Sequence, residues 1–542
     1  MGWLEDESGL DRCEANFVPL TPLSHLNRAK DVHPEREALV HGNRRFNYSQ
    51  YHRRVTTLAG AIAKMGIRPG DVVSTILPNI PAAMETHFAV PACGAVLNAI
   101  NVRLDTATVA YIFGHARPKL VFADTQFLPL AEAAAKDLAH PPVIVEVADP
   151  QAGHSATGKF HEYEELILNG PVDFNWMMPE DEWESISLNY TSGTTGKPKG
   201  VVCSHRGAYL MTMGTVISWR MTLYPRYLAI VPLFHCNGWN HTWLLPAMGG
   251  TIICCREVRA KAIYDAIADE GVTHFGAAPI VLNMLANAEP AEKRDFDRTV
   301  EVFTAGAPPA AATLKAVEGL GFNVTQTYGL TETYGHVTEC VWKNDQWDEL
   351  SDGERAAIKA RQGVRIPTME DITVVDSETG VPIERDGKAL GEVVMRGNSV
   401  MKGYYRNADA TRDSFRGGHF WSGDIAILHP DSYIQIADRS KDVIISGGEN
   451  VSSVEVEGVL MHHPAVSLCA VVAKPDAKWG EVPYAFVELK QGATASAEEL
   501  IAFCRKSLAG FKTPKGVKFT ELPKTATGKI QKYELRKVVS AD

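Results

Sequence analysis

Apolar residues at helical spacing open the readable part of the chain. Val55, Leu58, Ala59, Ile62 and Ala63 recur every three or four positions and Gly66 ends the run, which predicts an amphipathic helix closed by a turn. Residues 69–77, PGDVVSTIL, then read as a turn and a buried strand, with Asn79 placed to cap a helix running toward Gly94. The alternation returns with a helix over Ala260–Glu270, a strand at VTHF (272–275), a helix over Ile280–Ala288, and a strand and loop at EVFTAG (301–306). A helix over Ala310–Gly319 and a strand at NVTQTYG (323–329) follow. Helix and strand in this order predict an α/β fold with parallel sheets covered by helices.

After about residue 340 the pattern shortens. DITVVD (371–376), GEVVMRG (391–397) and SYIQIAD (432–438) read as short strands of a small antiparallel β unit. From about residue 440 a compact α+β tail is expected: helix Val454–Leu460, strands Leu468–Val472 and Tyr484–Leu489, helix Glu498–Leu508. The charged segment Asp438–Lys441 is the expected boundary, which divides the chain into 1–438 and 439–542.

At 542 residues the chain is long enough for about three or four structural units. A formal net charge of -11 argues against a nucleic-acid partner or an anionic membrane surface, so any phosphate chemistry needs positive charge gathered locally. Nine cysteines with no C-x-x-C pair read as reduced thiols and point to a cytoplasmic protein. The acidic start MGWLEDESGLDR has no apolar run, so no signal peptide is expected, and Asp6 at the sixth position speaks against myristoylation of Gly2. His87–Ile100, the most apolar stretch, contains Pro91 and is too short to span a bilayer; the terminal VSAD is not a peroxisomal address.

The strongest local signal is Tyr190-Thr191-Ser192-Gly193-Thr194-Thr195-Gly196-Lys197-Pro198-Lys199-Gly200. Its glycines let the backbone turn N–H groups toward anionic oxygens, its hydroxyls donate to them and its lysines supply charge. It is not a Walker A loop, because two residues separate Gly193 from Gly196 and Pro198 stands where Ser or Thr is required. Further along, Gln326-Thr327-Tyr328-Gly329-Leu330-Thr331-Glu332 offers an aromatic face, hydroxyls and a carboxylate that can bind Mg²⁺; read alone, YGLTE is equally a helix start with a Thr cap. Ala305-Gly306-Ala307-Pro308-Pro309 is a small-residue loop, read either as a close approach to a flat ligand or as a structural turn. Trp421-Ser422-Gly423-Asp424 places a carboxylate on a turn. Near the end, Lys524 and Lys529 flank a Gly-containing loop, with a solvated basic tail as the plainer reading. Pro232–Trp239 carries His235, Cys236 and Trp239, and no zinc-type spacing completes a ligand set there.

Taken in order, these segments resemble the AMP-forming adenylating superfamily, which includes acyl-CoA synthetases, luciferases and peptide-synthetase adenylation domains, over almost the whole chain. The resemblance implies a fold: α/β, with a large N-terminal domain of two helix-covered sheets plus a small β-barrel at about 340–435. A smaller mobile α+β C-terminal domain would carry the catalytic lysine. It also implies roles. Thr191, Ser192, Gly193, Thr194, Thr195, Gly196 and Lys197 would cradle phosphate. Gly306, Ala307, Gln326, Thr327 and Tyr328 would hold adenine, Thr331 a phosphate, Thr191 and Glu332 the Mg²⁺, and Asp424 and Arg439 the ribose. Lys529 would be the adenylation lysine, meeting the charge that grows on the α-phosphate; Lys441 would be the pivot residue; Gly447 and Gly448 would shape the pantetheine tunnel. His235 would sit where nucleotide and acid meet, and Trp239, with Met213, Val337 and Gly306, would wall a small apolar acid pocket. The family often has Arg where Lys532 stands.

The texts FHCNGW, TETYG, ARQG and SGGENVSS are similar to short- and medium-chain acyl-CoA ligases, including plant acyl-activating enzymes and bacterial 3-(methylthio)propionate–CoA ligases. The expected activity is therefore acid + ATP + CoA to acyl-CoA, AMP and pyrophosphate. Use of the adenylate with another acceptor and a catalytically silent nucleotide-binding regulator are the alternatives. The expected partners are a small carboxylic acid, ATP, Mg²⁺ and coenzyme A, with no nucleic acid and no membrane span, and a homodimer is the assembly considered.

Overall fold

The computed structural model describes residues 8–191, 197–306, 311–439, 442–446, 449–476, 478–524 and 530–541. The first predicted helix spans Tyr48–Lys64; its start is fixed by a reciprocal pair in which Asn47 accepts from the Gln50 amide and Gln50 accepts from that of Asn47. Val55, Leu58, Ala59 and Ile62 face the core. The next helix, Pro81–Ala92, has all twelve residues buried, as its all-round apolar sequence requires. Asn79 does not cap it. The capping position falls on Ile80, and Asn79 instead crosses to the other sheet.

Two sheets make the body. An eight-stranded sheet is parallel through Val96–Ala99, Val72–Ile76, Leu120–Asp124 and Val143–Val147. Its antiparallel edge is formed by Ser185–Tyr190, Gly200–Ser204 and Gly403–Tyr404. A nine-stranded sheet is parallel through Thr251–Cys254, Arg226–Ala229, His274–Ala277, Val300–Thr304 and Phe322–Leu330, with antiparallel returns at Gly335–Glu339 and Arg44–Asn47. One continuous core reaches both, from Val73 and Leu97 to Leu228 and Phe303. Arg256 also ties them, lying 2.7 Å from Asp124 and 2.9 Å from Asp149, which in turn holds His41 at 3.0 Å.

A third, antiparallel sheet contains Asp371–Val375, Leu390–Arg396, His419–Leu428 and Ile434–Arg439. A fourth contains Ile444–Ser446, Glu449–Val451, Val466–Asp476, Gly480–Leu489 and Gly516–Phe519, covered by Ser453–Met461, Ala497–Arg505 and Lys532–Ala541. The predicted elements are all present, with ends shifted by a few residues. The VTHF strand, for example, is His274–Ala277, because Gly271 closes the preceding helix in the left-handed region. No helix among the described residues is long and apolar enough to cross a membrane.

Candidate active site

In open α/β sheets, ligands gather outside the carboxyl ends of parallel strands. Here the ends of Arg226–Ala229, Val300–Thr304 and Phe322–Leu330 lead into His235, Gly306 and Thr331. The carboxyl end of Ser185–Tyr190 in the other sheet leads into Thr191. Two side-chain bridges, from Asn189 and from Asn79, bring the two edges together, and a third, between Cys236 and Thr331, ties two strand ends of the nine-stranded sheet. Asn189 Nδ2 donates to Asn237 Oδ1 at 3.0 Å, the Cys236 thiol donates to Thr331 Oγ1 at 3.6 Å, and Asn79 Nδ2 donates to the Ala229 and Val231 carbonyls at 2.6 and 2.9 Å. Asn79 Oδ1 also accepts from the Leu233 amide at 3.1 Å.

The backbone they hold is unusual. Cys236, Asn237, Gly238, Trp239 and Asn240 all have positive φ, between 43° and 65°. A left-handed turn costs an L-residue roughly 1–2 kcal/mol, with Asn and Gly the exceptions. Cys236 and Trp239 therefore stay there only because the surroundings over-determine them. The polar restraints are those just named, and the Asn240 side-chain amide also donates to the Tyr334 carbonyl. The outcome is a placed indole. Trp239 is half-buried and lies over Gly276, where an added Cβ would come within 3.0 Å of the ring and 2.8 Å of Val231. Gly276 pairs in register with Phe303 and Ala277 with Thr304, so the indole stands beside the strand end that leads into Gly306. Gly306 is exposed with φ +96°, and a Cβ there would meet nothing within 4 Å, which leaves open space. His235 is exposed, Val337 is buried and Met213 half-buried. Burial pushes the Cys236 thiol up to about 12, so it stays un-ionised and serves as a donor rather than a nucleophile.

Around the nucleotide candidates, Phe322–Leu330 continues through a short 3₁₀ turn, Thr331–Thr333, into the antiparallel strand Gly335–Glu339. The helix-start reading of YGLTE does not hold. Thr333, not Thr331, makes the local hydrogen bonds, to Leu330 and Gly335, which leaves Thr331 facing the Cys236 thiol. Gly329 is demanded by this return, since a Cβ would sit 1.9 Å from the Gly335 carbonyl oxygen. Thr327 is buried and donates to the Thr304 carbonyl at 3.2 Å, and Gln326 lies beside it on the same strand. Tyr328 is buried and its hydroxyl donates to Asp424 Oδ2 at 2.7 Å, while Arg439 Nε lies 2.6 Å from Asp424 Oδ1. Burial and the Asp424 carboxylate raise the Tyr328 hydroxyl well above its ordinary value; for Arg439, the Asp424 charge overrides the effect of burial and keeps the guanidinium charged.

Thr191 and Glu332 flank the same junction. The Thr191 amide donates to the Lys199 carbonyl at 3.0 Å, the Lys199 ammonium lies 4.3 Å over the Tyr404 ring, and the Tyr404 hydroxyl donates to Glu332 Oε1 at 2.8 Å. The Lys197 ammonium lies 5.3 Å over the Tyr111 ring. A hydroxyl and an oriented carboxylate are hard oxygen donors that fit Mg²⁺, which keeps several waters and takes phosphate oxygens. Among the described residues no cluster of three or more His, Cys, Asp or Glu could hold a metal by itself. Ser192, Gly193, Thr194, Thr195, Gly196, Ala307, Lys441, Gly447, Gly448 and Lys529 lie outside the described residues.

Sequence reasoning missed Asn189 and Tyr404, gave Asn237 no role within FHCNGW, and read Asn79 as a helix cap. Each acts on a partner far away in the chain.

A two-sheet α/β body with a hydroxyl-, lysine- and carboxylate-lined junction at its carboxyl edges defines a nucleotide-using enzyme. The family model "AMP-binding enzyme" matches residues 26–405, and "AMP-binding enzyme C-terminal domain" matches 455–529. The chain belongs to the AMP-binding enzyme family. It is 49% identical to an acetate–CoA ligase of Humulus lupulus, over 98% of this chain and 96% of that one. It is 48% identical to a peroxisomal acetate/butyrate–CoA ligase of Arabidopsis thaliana over the same shares. The o-succinylbenzoate CoA synthetase of Bacillus subtilis, solved with its acyl-adenylate intermediate, superposes with a TM-score of 0.80 at 25% identity, over 94% of this chain and 97% of that one.

Proposed function

We propose that the protein is an ATP- and CoA-dependent ligase for short-chain carboxylic acids of acetate to butyrate size. A carboxylate oxygen attacks the α-phosphorus of ATP and pyrophosphate leaves, giving an acyl-adenylate. The CoA sulfur then attacks the acyl carbon, AMP departs with the electrons of the broken C–O bond, and the thiol proton is released. The observation that supports the size assignment is the left-handed turn that seats Trp239 over Gly276 beside the strand end leading into Gly306, where the indole would close an acid pocket after a few carbons. The two plant relatives, named for acetate and butyrate, support it. They give no support to 3-(methylthio)propionate, which is not carried forward.

In this reading Asp424, with Tyr328 and Arg439, receives the ribose, and Gly306, Gln326 and Thr327 border the adenine. Thr331 holds the α-phosphate at a position set by Cys236, and His235 stands between phosphate and acid. Thr191 and Glu332 would hold Mg²⁺, which when bound offsets phosphate charge. Lys529 supplies the cation for the first step. Residues 439–542 act as a separate unit pivoting at Lys441, which exchanges Lys529 for the Gly447–Gly448 loop between the two steps. Cytoplasmic residence is part of the proposal, and imaging of the tagged full chain tests it against a peroxisomal location like that in one relative's name.

The experiment is pyrophosphate release with straight-chain acids from C2 to C12, followed by thioester formation with CoA. Acid-dependent release and thioester formation that peak at C2–C4 are expected. Release without thioester points to another acceptor, and no release with any acid points to a silent regulator.

A further inference from the structure

Lys532 begins the last helix, Lys532–Ala541, three positions after Lys529. Only 14% of its side chain is exposed, an uncommon setting for a lysine. Its ammonium lies 2.7 Å from Glu457 Oε1 and donates to Ser453 Oγ. Glu457 is held in turn by the Val471 amide at 2.7 Å. The same Ser453 donates its backbone N–H to Asp438 Oδ2 at 2.6 Å, and Ser452 Oγ donates to the Ala437 carbonyl at 2.6 Å. Asp438 is the neighbour of Arg439, the residue paired with Asp424 in the nucleotide candidate site. An unbroken path thus runs from the Asp424–Arg439 pair through Asp438 and Ser453 to the ammonium of Lys532.

The chain on either side of 525–529 is also anchored. Lys524 pairs with Ile530 in an antiparallel bridge and the Gln531 amide donates to the Pro523 carbonyl at 2.8 Å. Arg536 pairs with Asp442 one turn further along the helix. Burial by itself would discharge Lys532, but Glu457, Asp438 and Asp442 reverse that and keep its proton affinity above the ordinary lysine value. A neutral residue there would leave Glu457 and Asp438 as two neighbouring carboxylates with no cation between them.

We propose that Lys532 is a positioning residue for adenylation: its ammonium, shared between Glu457 and Ser453, ties the root of the Lys529-bearing segment to Asp438 and so to the strand that presents Arg439 to the nucleotide. This rests on the reading of Lys529 given above. Its function is alignment, and a misplacement of about 1 Å in a reacting group can cost on the order of 10²-fold in rate.

The test measures the two half-reactions separately in the full chain. Adenylation is read as butyrate-dependent ATP–pyrophosphate exchange, and thioester formation from supplied butyryl-adenylate and CoA. Lys532→Met is expected to lower exchange by about 10²-fold while leaving thioester formation within about threefold. Lys532→Arg, which keeps the cation, is expected to retain at least about a third of the exchange rate. Asp438→Asn keeps an acceptor for the Ser453 amide but not the charge, and is expected to lower exchange alone, by about tenfold. Equal losses in both half-reactions would mark a merely structural lysine and overturn the proposal, as would unchanged exchange in Lys532→Met. Should Lys532→Met fail to fold, Asp438→Asn decides: selective loss of exchange supports the proposal, and unchanged exchange overturns it. Wild-type protein without any exchange would sink the proposed function itself, a result distinct from all of these.

Discussion

If Trp239 ends the acid pocket as proposed, Trp239→Gly acts on that wall and on the backbone at once. The residue has φ +54°, so glycine relieves roughly 1 kcal/mol of left-handed strain. Removing a core Trp costs about 3–5 kcal/mol, and for this half-buried ring about half of that, giving a net loss of about 1 kcal/mol in stability. The change in selectivity is larger. The vacated indole volume next to Gly276 admits about three more methylenes, each worth about 0.8 kcal/mol when buried, or about 2.4 kcal/mol in all. That corresponds to a rise of about 60-fold in kcat/KM for hexanoate relative to acetate. The assay is kcat/KM for CoA thioester formation across straight-chain acids from C2 to C8, with a thermal melt to confirm folding. A hexanoate-to-acetate ratio within threefold of wild type, in a folded variant, would refute the placement of Trp239 as the end wall.

Three other outcomes follow from the same geometry. Asn79→Ala removes three buried hydrogen bonds under the His235 segment and should cost about 3 kcal/mol by denaturant titration, with a raised KM for the acid; a loss below about 1 kcal/mol would show that the segment holds itself. Burial lifts the Glu339 carboxyl from 4.5 to about 7, so the folded state keeps its proton where the unfolded chain has lost it. Stability therefore falls as pH rises from 4.5 to 7, by on the order of 3 kcal/mol, and Glu339→Gln should stabilise the protein at pH 8 while leaving it unchanged at pH 4 in melts at both values. Lys529→Ala should lower acid-dependent pyrophosphate exchange by about 10²–10³-fold yet largely spare thioester formation from supplied butyryl-adenylate; equal loss in both would contradict its assigned role.

Periodicity made the scaffold readable because local and tertiary preferences agree there. The helical run from Val55 to Ala63 lies inside Tyr48–Lys64, and the apolar stretch around Pro81–Ala92 is buried on all sides. Strand and helix alternation foretold parallel sheets, while strand order and the antiparallel edges depend on contacts between distant segments. Asn79 was misread because a cap and a cross-sheet clamp use the same side chain, and only the position of the Ala229 and Val231 carbonyls tells them apart. The left-handed turn at 236–240 had no local signature beyond Asn and Gly, since Cys236 and Trp239 are held there against their own preference. Tyr404 orients Glu332 from 72 residues away, a pairing that no motif spacing encodes.

The most direct measurement is a rapid-quench time course with butyrate, ATP and Mg²⁺, first without CoA and then with it. The account predicts a burst of butyryl-adenylate close to one equivalent per site, with pyrophosphate as co-product, converted to butyryl-CoA and AMP once CoA is added. Formation of ADP with an acyl phosphate, or acid-independent turnover of ATP, would contradict it.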